Sequence, residues 1–328
     1  MPLSTKPIVV ALNPLHPQAL ALASERFDLI LPGSDRFDTW REHAQGVLTI
    51  AARVTEEDVE TAKQYGKLRY VAKQGTGVDM LDLPALREAG IVVMNTPGIN
   101  AQAVAELALG LIIDAARKIS TTHARFYAGE TINKSEGWGG QTLFGKTLGL
   151  IGGGDTGFAL AKMFHSAFHA KIILYDPFLS PSDMQRWARG FPATDLTYVS
   201  GLDELLTRSD IVSLHCPLTK DTKDMISTPQ FDLMKDSSIL VNVARGGIVN
   251  ERDLEIALKE GKISGAGVDV TVVEPPTREN YEGLCKAGCI ITPHYGAAPA
   301  EVQEATCLAM VQHMIDALEH GIIRNRVV

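Results

Sequence analysis

No Cys-x-x-Cys pair and no cysteine–histidine ligand spacing occurs in the 328 residues. The four cysteines, Cys216, Cys285, Cys289 and Cys307, therefore outline neither a zinc site nor a disulfide framework, and they are expected as reduced thiols. Also lacking is an apolar run long enough to span a bilayer, which excludes a membrane-spanning helix. The opening MPLSTKPIVVAL has no basic region or cleavage site of a secretory signal, so a cytoplasmic location is expected. Positive charge is in the minority: 31 Lys and Arg stand against 39 Asp and Glu, for a formal net charge of −8. That balance disfavours non-specific binding to nucleic acid or to an anionic membrane. Low-complexity tracts and fixed-period repeats are missing as well. What remains is a soluble globular chain, 45% hydrophobic, long enough for two domains and suited to small-molecule chemistry.

Along the first hundred residues or so, short apolar runs (PIVVAL, FDLILP, GVLTIA, LRYVAKQ, IVVMN) alternate with helix-like stretches such as TEEDVETAKQY. This is the signature of a parallel sheet covered on both faces. Asn100 then stands as a helix N-cap, and Val104, Leu107, Ala108, Leu111, Ile112 and Ala115 follow at helical spacing. From GKTLGLIG onward the alternation restarts with TLGLIG, KIILYD, DIVSLH, SSILVNV, ISGAGVDV and CIITP, so a second doubly wound domain is expected. EVQEATCLAMVQHMIDALEHG reads as one final helix, and periodicity does not say which domain receives it.

The segment Gly152-Gly153-Gly154-Asp155-Thr156-Gly157 has GxGxxG spacing. It closes an apolar strand and opens a helix-like stretch, and a second strand ends at Asp176, 176 − 157 = 19 residues past the last glycine. That context is the one a dinucleotide fingerprint requires. Gly152 and Gly154 permit a tight turn and close approach of pyrophosphate, Gly157 permits close helix–strand packing, and the helix start supplies amide donors. Gly152, Gly154, Asp155, Thr156 and Gly157 are thus the expected pyrophosphate cradle. Asp176 can accept hydrogen bonds from the adenosine ribose hydroxyls and repel a 2′-phosphate, which selects NAD over NADP. Asp155 is unusual in such a loop. A carboxylate near a helix N-terminus is stabilised by about 0.3–1 kcal/mol, so it is expected to turn to solvent while weakening cofactor binding.

The ordered segments GTGVDMLD (75–82), NTPGINAQAVAE (95–106), GKTLGLIGGGDTG (145–157), YDP (175–177), LHCPLT (214–219), NVARGGIVNERDL (242–254), GVDVTVVEP (267–275) and TPHYGA (292–297) together resemble the D-isomer-specific 2-hydroxyacid dehydrogenases. The resemblance covers nearly the whole chain. It implies an α/β fold of two doubly wound parallel-sheet domains: a flavodoxin-like substrate domain, residues 1–100 and 295–328, and an inserted Rossmann NAD domain, residues 101–294. Active sites of such enzymes lie between the domains, and members are commonly homodimers joined through the coenzyme domain and the long helix after Asn100. Residue by residue, Arg245 matches the substrate-binding arginine, Glu274 the acid partner, His294 the proton donor, and Asp269 the aspartate near the nicotinamide carboxamide. Thr76 and Gly77 fall where backbone amides meet the substrate carboxylate.

Chemistry gives independent reasons for these residue types. A guanidinium holds a 2-oxo carboxylate through paired charge-assisted hydrogen bonds. Histidine exchanges a proton near neutral pH, and a neighbouring glutamate favours its protonated form. Singly, each would more often be a surface cation, a solvated acid or a packed imidazole; as an ordered set within matching motifs they point to catalysis. His215 in LHCP sits in the nucleotide half and is expected to be structural. Departures from the family are Asp155 itself, DML at 79–81, Thr271 where an aromatic is common, and Tyr295 after the proton donor. The expected activity is NAD-dependent reduction of a 2-oxo acid by an oxidoreductase acting on CH–OH groups, with no metal. 3-Phosphoglycerate dehydrogenase is the alternative, needing a cation for the substrate phosphate; Arg53 is the obvious candidate, and no regulatory domain is expected after residue 328. Formate dehydrogenases carry glutamine where Glu274 stands. An NAD-sensing, corepressor-like binding protein is the competitor of another class, and it would need an exposed peptide groove.

Overall fold

The β-branched runs of the first part of the chain pair side by side as five parallel strands: β1 (Ile8–Ala11), β2 (Asp28–Ile30), β3 (Gly46–Thr49), β4 (Tyr70–Lys73) and β5 (Val92–Asn95). Their order is β2-β1-β3-β4-β5, the flavodoxin-like winding. The central strands are mostly apolar because both faces are covered; β3 is buried at every residue, and the polar Thr49 and Lys73 close β3 and β4 at their carboxyl ends. Against one face pack Ala19 and Ala23 of the Pro17–Arg26 helix together with Met310, Val311, Met314 and Ile315 of the final helix, Ala300–His320. Trp40, Val59, Ala62 and Leu86 fill the other. The final helix is thus assigned to this sheet, which the sequence pattern left open.

The computed structural model describes residues 6–328 and divides into two units, one formed by the residues through Asn100 with Pro299–Val328, the other by Ala101–Ala298. The second crossing falls four positions later than residue 295 suggested in the sequence. Residues 295–298 stay with the second unit because the Tyr295 and Gly296 amides donate to the Asp269 carboxylate at 2.7 and 2.9 Å.

That second unit holds seven parallel strands, β6 (Thr147–Ile151), β7 (Lys171–Tyr175), β8 (Leu196–Tyr198), β9 (Ile211–Leu214), β10 (Ile239–Asn242), β11 (Gly265–Val268) and β12 (Cys289–Ile291). The order β12-β11-β10-β9-β6-β7-β8 reverses direction between β6 and β9. A ligand crevice opens outside the carboxyl ends of strands at such a switch point. Gly149 in β6 permits the sheet to approach the Leu202–Arg208 helix: a Cβ there would lie 2.2 Å from Ser209 Oγ and 2.8 Å from Leu205. The Ala101–Arg117 helix buries Ala105, Ala108, Leu111, Ile112 and Ala115 on this unit. It stops where Lys118 adopts φ 55°, and a separate helix, Ile119–Tyr127, follows without one buried residue. All four cysteines are free thiols, and burial pushes Cys216 up to about 11. Among the described residues no helix is long and apolar enough to cross a membrane.

Candidate active site

Strand β6 ends in the glycine loop, and the helix Asp155–Phe168 begins directly after it. Gly152 has φ +102°, and a Cβ there would meet the His215 backbone at 2.7 Å. At Gly157 a Cβ would strike the Gly152 carbonyl at 2.6 Å, whereas at Gly154 it would enter open space with nothing within 4 Å. The loop is therefore closed against the protein at two glycines and open at the third. At the end of β7, Asp176 accepts from the Gly153 amide and the Phe178 amide, both at 2.9 Å. An acidic side chain is thereby fixed beside the loop, with oxygen lone pairs left for hydroxyl donors. The open Gly154, the free amides at the helix start and the fixed Asp176 fit a dinucleotide with an unphosphorylated ribose.

Asp155 departs from the sequence expectation. It is exposed, but its carboxylate does not merely face solvent: it pairs with the guanidinium of Arg186 from the Pro181–Gly190 helix. The expected repulsion toward pyrophosphate therefore meets a counter-charge already in place. Thr156, next in the helix, is half-buried. His215 lies beneath the loop with Nε2 2.9 Å from Ser213 Oγ. Burial drives its pKa down to about 3, so it is neutral and packs rather than titrates.

Three adjacent strands, β10, β11 and β12, release their chains at the same sheet end and bring the remaining candidates together. After β10, the Asn242 side chain accepts from the Ala244 amide at 3.0 Å and donates to the Arg245 carbonyl at 2.9 Å, fixing the turn that carries Arg245. Its guanidinium donates to the Ala244 carbonyl at 2.7 Å. The following Gly246 is obligatory, since a Cβ would lie 2.1 Å from the Thr271 carbonyl. After β11, Glu274 accepts from the Thr271 amide at 3.2 Å through one oxygen. Its other oxygen lies 3.0 Å from His294 Nδ1. His294 follows β12 in a left-handed backbone, φ 59°, held by its amide on the Asp269 carbonyl at 2.7 Å.

The Glu274 hydrogen bond raises the pKa of His294; burial opposes it, the charges of Glu274 and Asp269 add to the rise, and Arg245 opposes it. On Glu274 burial pushes upward, but the His294 bond and charge, the Thr271 amide and Arg245 outweigh it, and the carboxyl is held below its ordinary value. The pair is therefore a carboxylate beside a readily protonated imidazole. With Nδ1 engaged by Glu274, Nε2 is the nitrogen left to exchange a proton.

Asp269 is 2% exposed. It accepts from Thr292 Oγ1 at 2.6 Å as well as from the Tyr295 and Gly296 amides, so its carboxylate first of all builds the turn that presents His294. Two residues the sequence did not single out brace the Glu274 loop. Glu251 accepts from the Val272 amide at 2.7 Å, and Tyr281 OH accepts from the Val273 amide at 2.9 Å. Glu251 lies inside the quoted NVARGGIVNERDL motif, which was the available signal; nothing in the sequence marks Tyr281. In the other unit, the loop after β4 is tied by Thr96, whose hydroxyl receives the Gly75 amide at 2.6 Å, and by Asn95, which donates to the Thr76 carbonyl at 2.9 Å. Thr76 is exposed and Gly77 half-buried there, and Arg53 is exposed after β3.

A family model described as D-isomer specific 2-hydroxyacid dehydrogenase, NAD binding domain, matches residues 109–296. The hydroxypyruvate reductase of Thermotoga maritima is 40% identical over 275 residues, covering 83% of this chain and 84% of the relative. The D-3-phosphoglycerate dehydrogenase of Methanocaldococcus jannaschii is 34% identical over 97% of this chain, which spans only 58% of that protein's length. Among solved structures, a glyoxylate reductase from Paecilomyes thermophila superposes with a TM-score of 0.84 at 26% identity, covering 100% of this chain and 99% of the other. With two parallel-sheet units, a glycine loop backed by an acidic strand end, and these relatives, the chain belongs to the D-isomer-specific 2-hydroxyacid dehydrogenases, NAD-dependent oxidoreductases acting on 2-hydroxy acids.

Proposed function

We propose that the physiological activity is reduction of a small, unphosphorylated 2-oxo acid, with His294 as proton donor and Arg245 as the carboxylate-binding cation. The observation that carries this reading is the His294–Glu274 pair, 3.0 Å apart at the end of β12. Bound NADH supplies the hydride for the ketone carbon. The imidazolium of His294 gives its Nε2 proton to the carbonyl oxygen as charge develops there. Glu274 keeps the ring oriented and its protonated form favoured. Arg245, braced by Asn242, grips the carboxylate through two donors, which a lysine ammonium cannot match in geometry. Asp269 supports the His294 turn and is the candidate contact for the nicotinamide carboxamide. In the first unit we assign substrate binding to the backbone at Thr76 and Gly77, and in the second we assign NADH over NADPH selection to Asp176.

The oligomer belongs to the same proposal. Ile119, Phe126 and Tyr127 on the short helix after Arg117 are 55%, 68% and 86% exposed, an apolar surface of the kind that a second copy covers in a homodimer. Four free thiols, two of them buried, fit a reducing cytoplasm. The relatives found are reductases and dehydrogenases, which favours catalysis over the corepressor-like alternative.

NADH oxidation across glyoxylate, hydroxypyruvate, pyruvate and 3-phosphohydroxypyruvate tests the assignment. Turnover of an unphosphorylated oxo acid is expected, with kcat/KM falling at least about 100-fold in Arg245→Lys, as the loss of a bidentate charged contact implies. Turnover of the phosphorylated substrate alone would transfer the chain to the phosphoglycerate branch. An unimpaired Arg245→Lys enzyme would remove Arg245 from the site.

A further inference from the structure

A carboxylate at the first position of an anion-binding helix calls for a compensating group, and the structure holds one. Arg186 comes from the neighbouring Pro181–Gly190 helix and reaches the loop with both terminal nitrogens. Nη1 pairs with Asp155, and Nη2 donates to the Gly153 carbonyl at 3.2 Å and lies 3.6 Å from Asp183. The guanidinium carbon stands 4.9 Å from the centre of the Phe158 ring. The adjacent Trp187 is fully buried and donates Nε1 to the same Gly153 carbonyl at 2.8 Å. Arg186 is thus placed by two carboxylates, a carbonyl and an aromatic face, while its Nε is buried without a partner. With Arg186 one-third and Asp155 one-half exposed, this ion pair contributes little to folding. Its location on the residues of the glycine loop, rather than its strength, is what needs explaining.

We propose that Arg186 is a charge-compensating residue of the cofactor site: paired with Asp155, it cancels from a second helix the negative charge that the glycine loop carries toward the dinucleotide. Alone, the Asp155 carboxylate would repel the dinucleotide pyrophosphate. Paired with Arg186, it belongs to a neutral unit beside the loop. The inference rests on NAD binding by this domain and not on the choice of oxo acid or on the proton donor. It therefore survives if those assignments fail.

A double-mutant cycle read by calorimetric binding of NADH and NADPH to the free enzyme tests it. Arg186→Met keeps the aliphatic stem over Phe158 but deletes the charge. NADH affinity is expected to fall about tenfold, the scale of one uncompensated like charge several ångströms from the phosphates in a partly solvated loop. Asp155→Asn should change it by less than about threefold, and the double variant should recover to within about threefold of Asp155→Asn, because the charge in need of compensation has gone. The loss in Arg186→Met should also shrink at high salt. A purely structural role predicts no recovery in the double variant, so a double variant as weak as Arg186→Met overturns the proposal. Unchanged NADH affinity in Arg186→Met overturns it as well. A loss confined to NADPH would place the guanidinium at the 2′-phosphate and overturn it too.

Discussion

Glu274 lies 3.0 Å from His294, and with His294 as the proposed proton donor this pair sets the expected pH dependence. The glutamate hydrogen bond raises the imidazole pKa against the opposing effect of burial. In the proposed mechanism reduction uses the protonated ring, so its rate is expected to fall as pH rises through this raised value, while oxidation uses the neutral ring and is expected to gain over the same interval. For stability, the raised His294 pKa contributes fully below the unfolded-state value of histidine and is lost as pH rises through the folded one, whereas the lowered Glu274 pKa contributes above the unfolded-state value of glutamate and is lost as pH falls through the folded one. Glu274→Gln keeps a hydrogen-bonding group and deletes the charge. The alkaline limb of kcat/KM for oxo-acid reduction is expected to move to lower pH in that variant; a limb that stays in place would show that Glu274 does not tune the proton donor. At this scale the sequence was informative about residue types and uninformative about partners. The charge of Asp155 could be read from its codeword in the glycine loop. Its counter-ion could not, since Arg186 lies on another helix, 31 residues away.

Elements with strong periodicity were legible, and those defined by a single dihedral or a short edge were not. The apolar runs of TLGLIG, KIILYD and DIVSLH became β6, β7 and β9 because strands buried on both faces are predominantly apolar. Strand β8 has three residues, none fully buried, so its edge position leaves almost no compositional trace. The break at Lys118 is likewise a backbone event in an otherwise helix-compatible sequence. Bracing of the Glu274 loop by Glu251 and Tyr281 joins separate segments, and only Glu251 lies inside a quoted motif. Gly149 shows what a central strand tolerates. In Gly149→Ala the new methyl would press on Ser209 and Leu205, and a cost of about 1–3 kcal/mol is expected from overpacking. Urea denaturation with an unchanged m-value and a lowered midpoint is the expected result; an unshifted midpoint would mean that the Leu202–Arg208 helix yields without cost.

For the molecule as a whole, the exposed Ile119, Phe126 and Tyr127 make the association state measurable. Light scattering on the eluting protein should return twice the chain mass, and Phe126→Glu with Tyr127→Glu should return the chain mass once, with the fold intact by circular dichroism. A double variant still at twice the mass would move the interface elsewhere. Connectivity adds a consequence for assembly. The core of the first unit is incomplete until Met310, Val311, Met314 and Ile315 arrive, after the whole of Ala101–Ala298 has been synthesised. Within that insertion the start and the finish are neighbours, for a Cβ at Gly296 would lie 3.1 Å from the Val104 side chain. Before the insertion folds, joining the final helix to β3 and β4 means closing a very long flexible loop; afterwards the same residues are a short rigid clip, and the closure entropy has been spent elsewhere. The first unit is therefore the client of the second: one face of its sheet, covered until then only by the Pro17–Arg26 helix, waits for a helix that a folded insertion delivers cheaply.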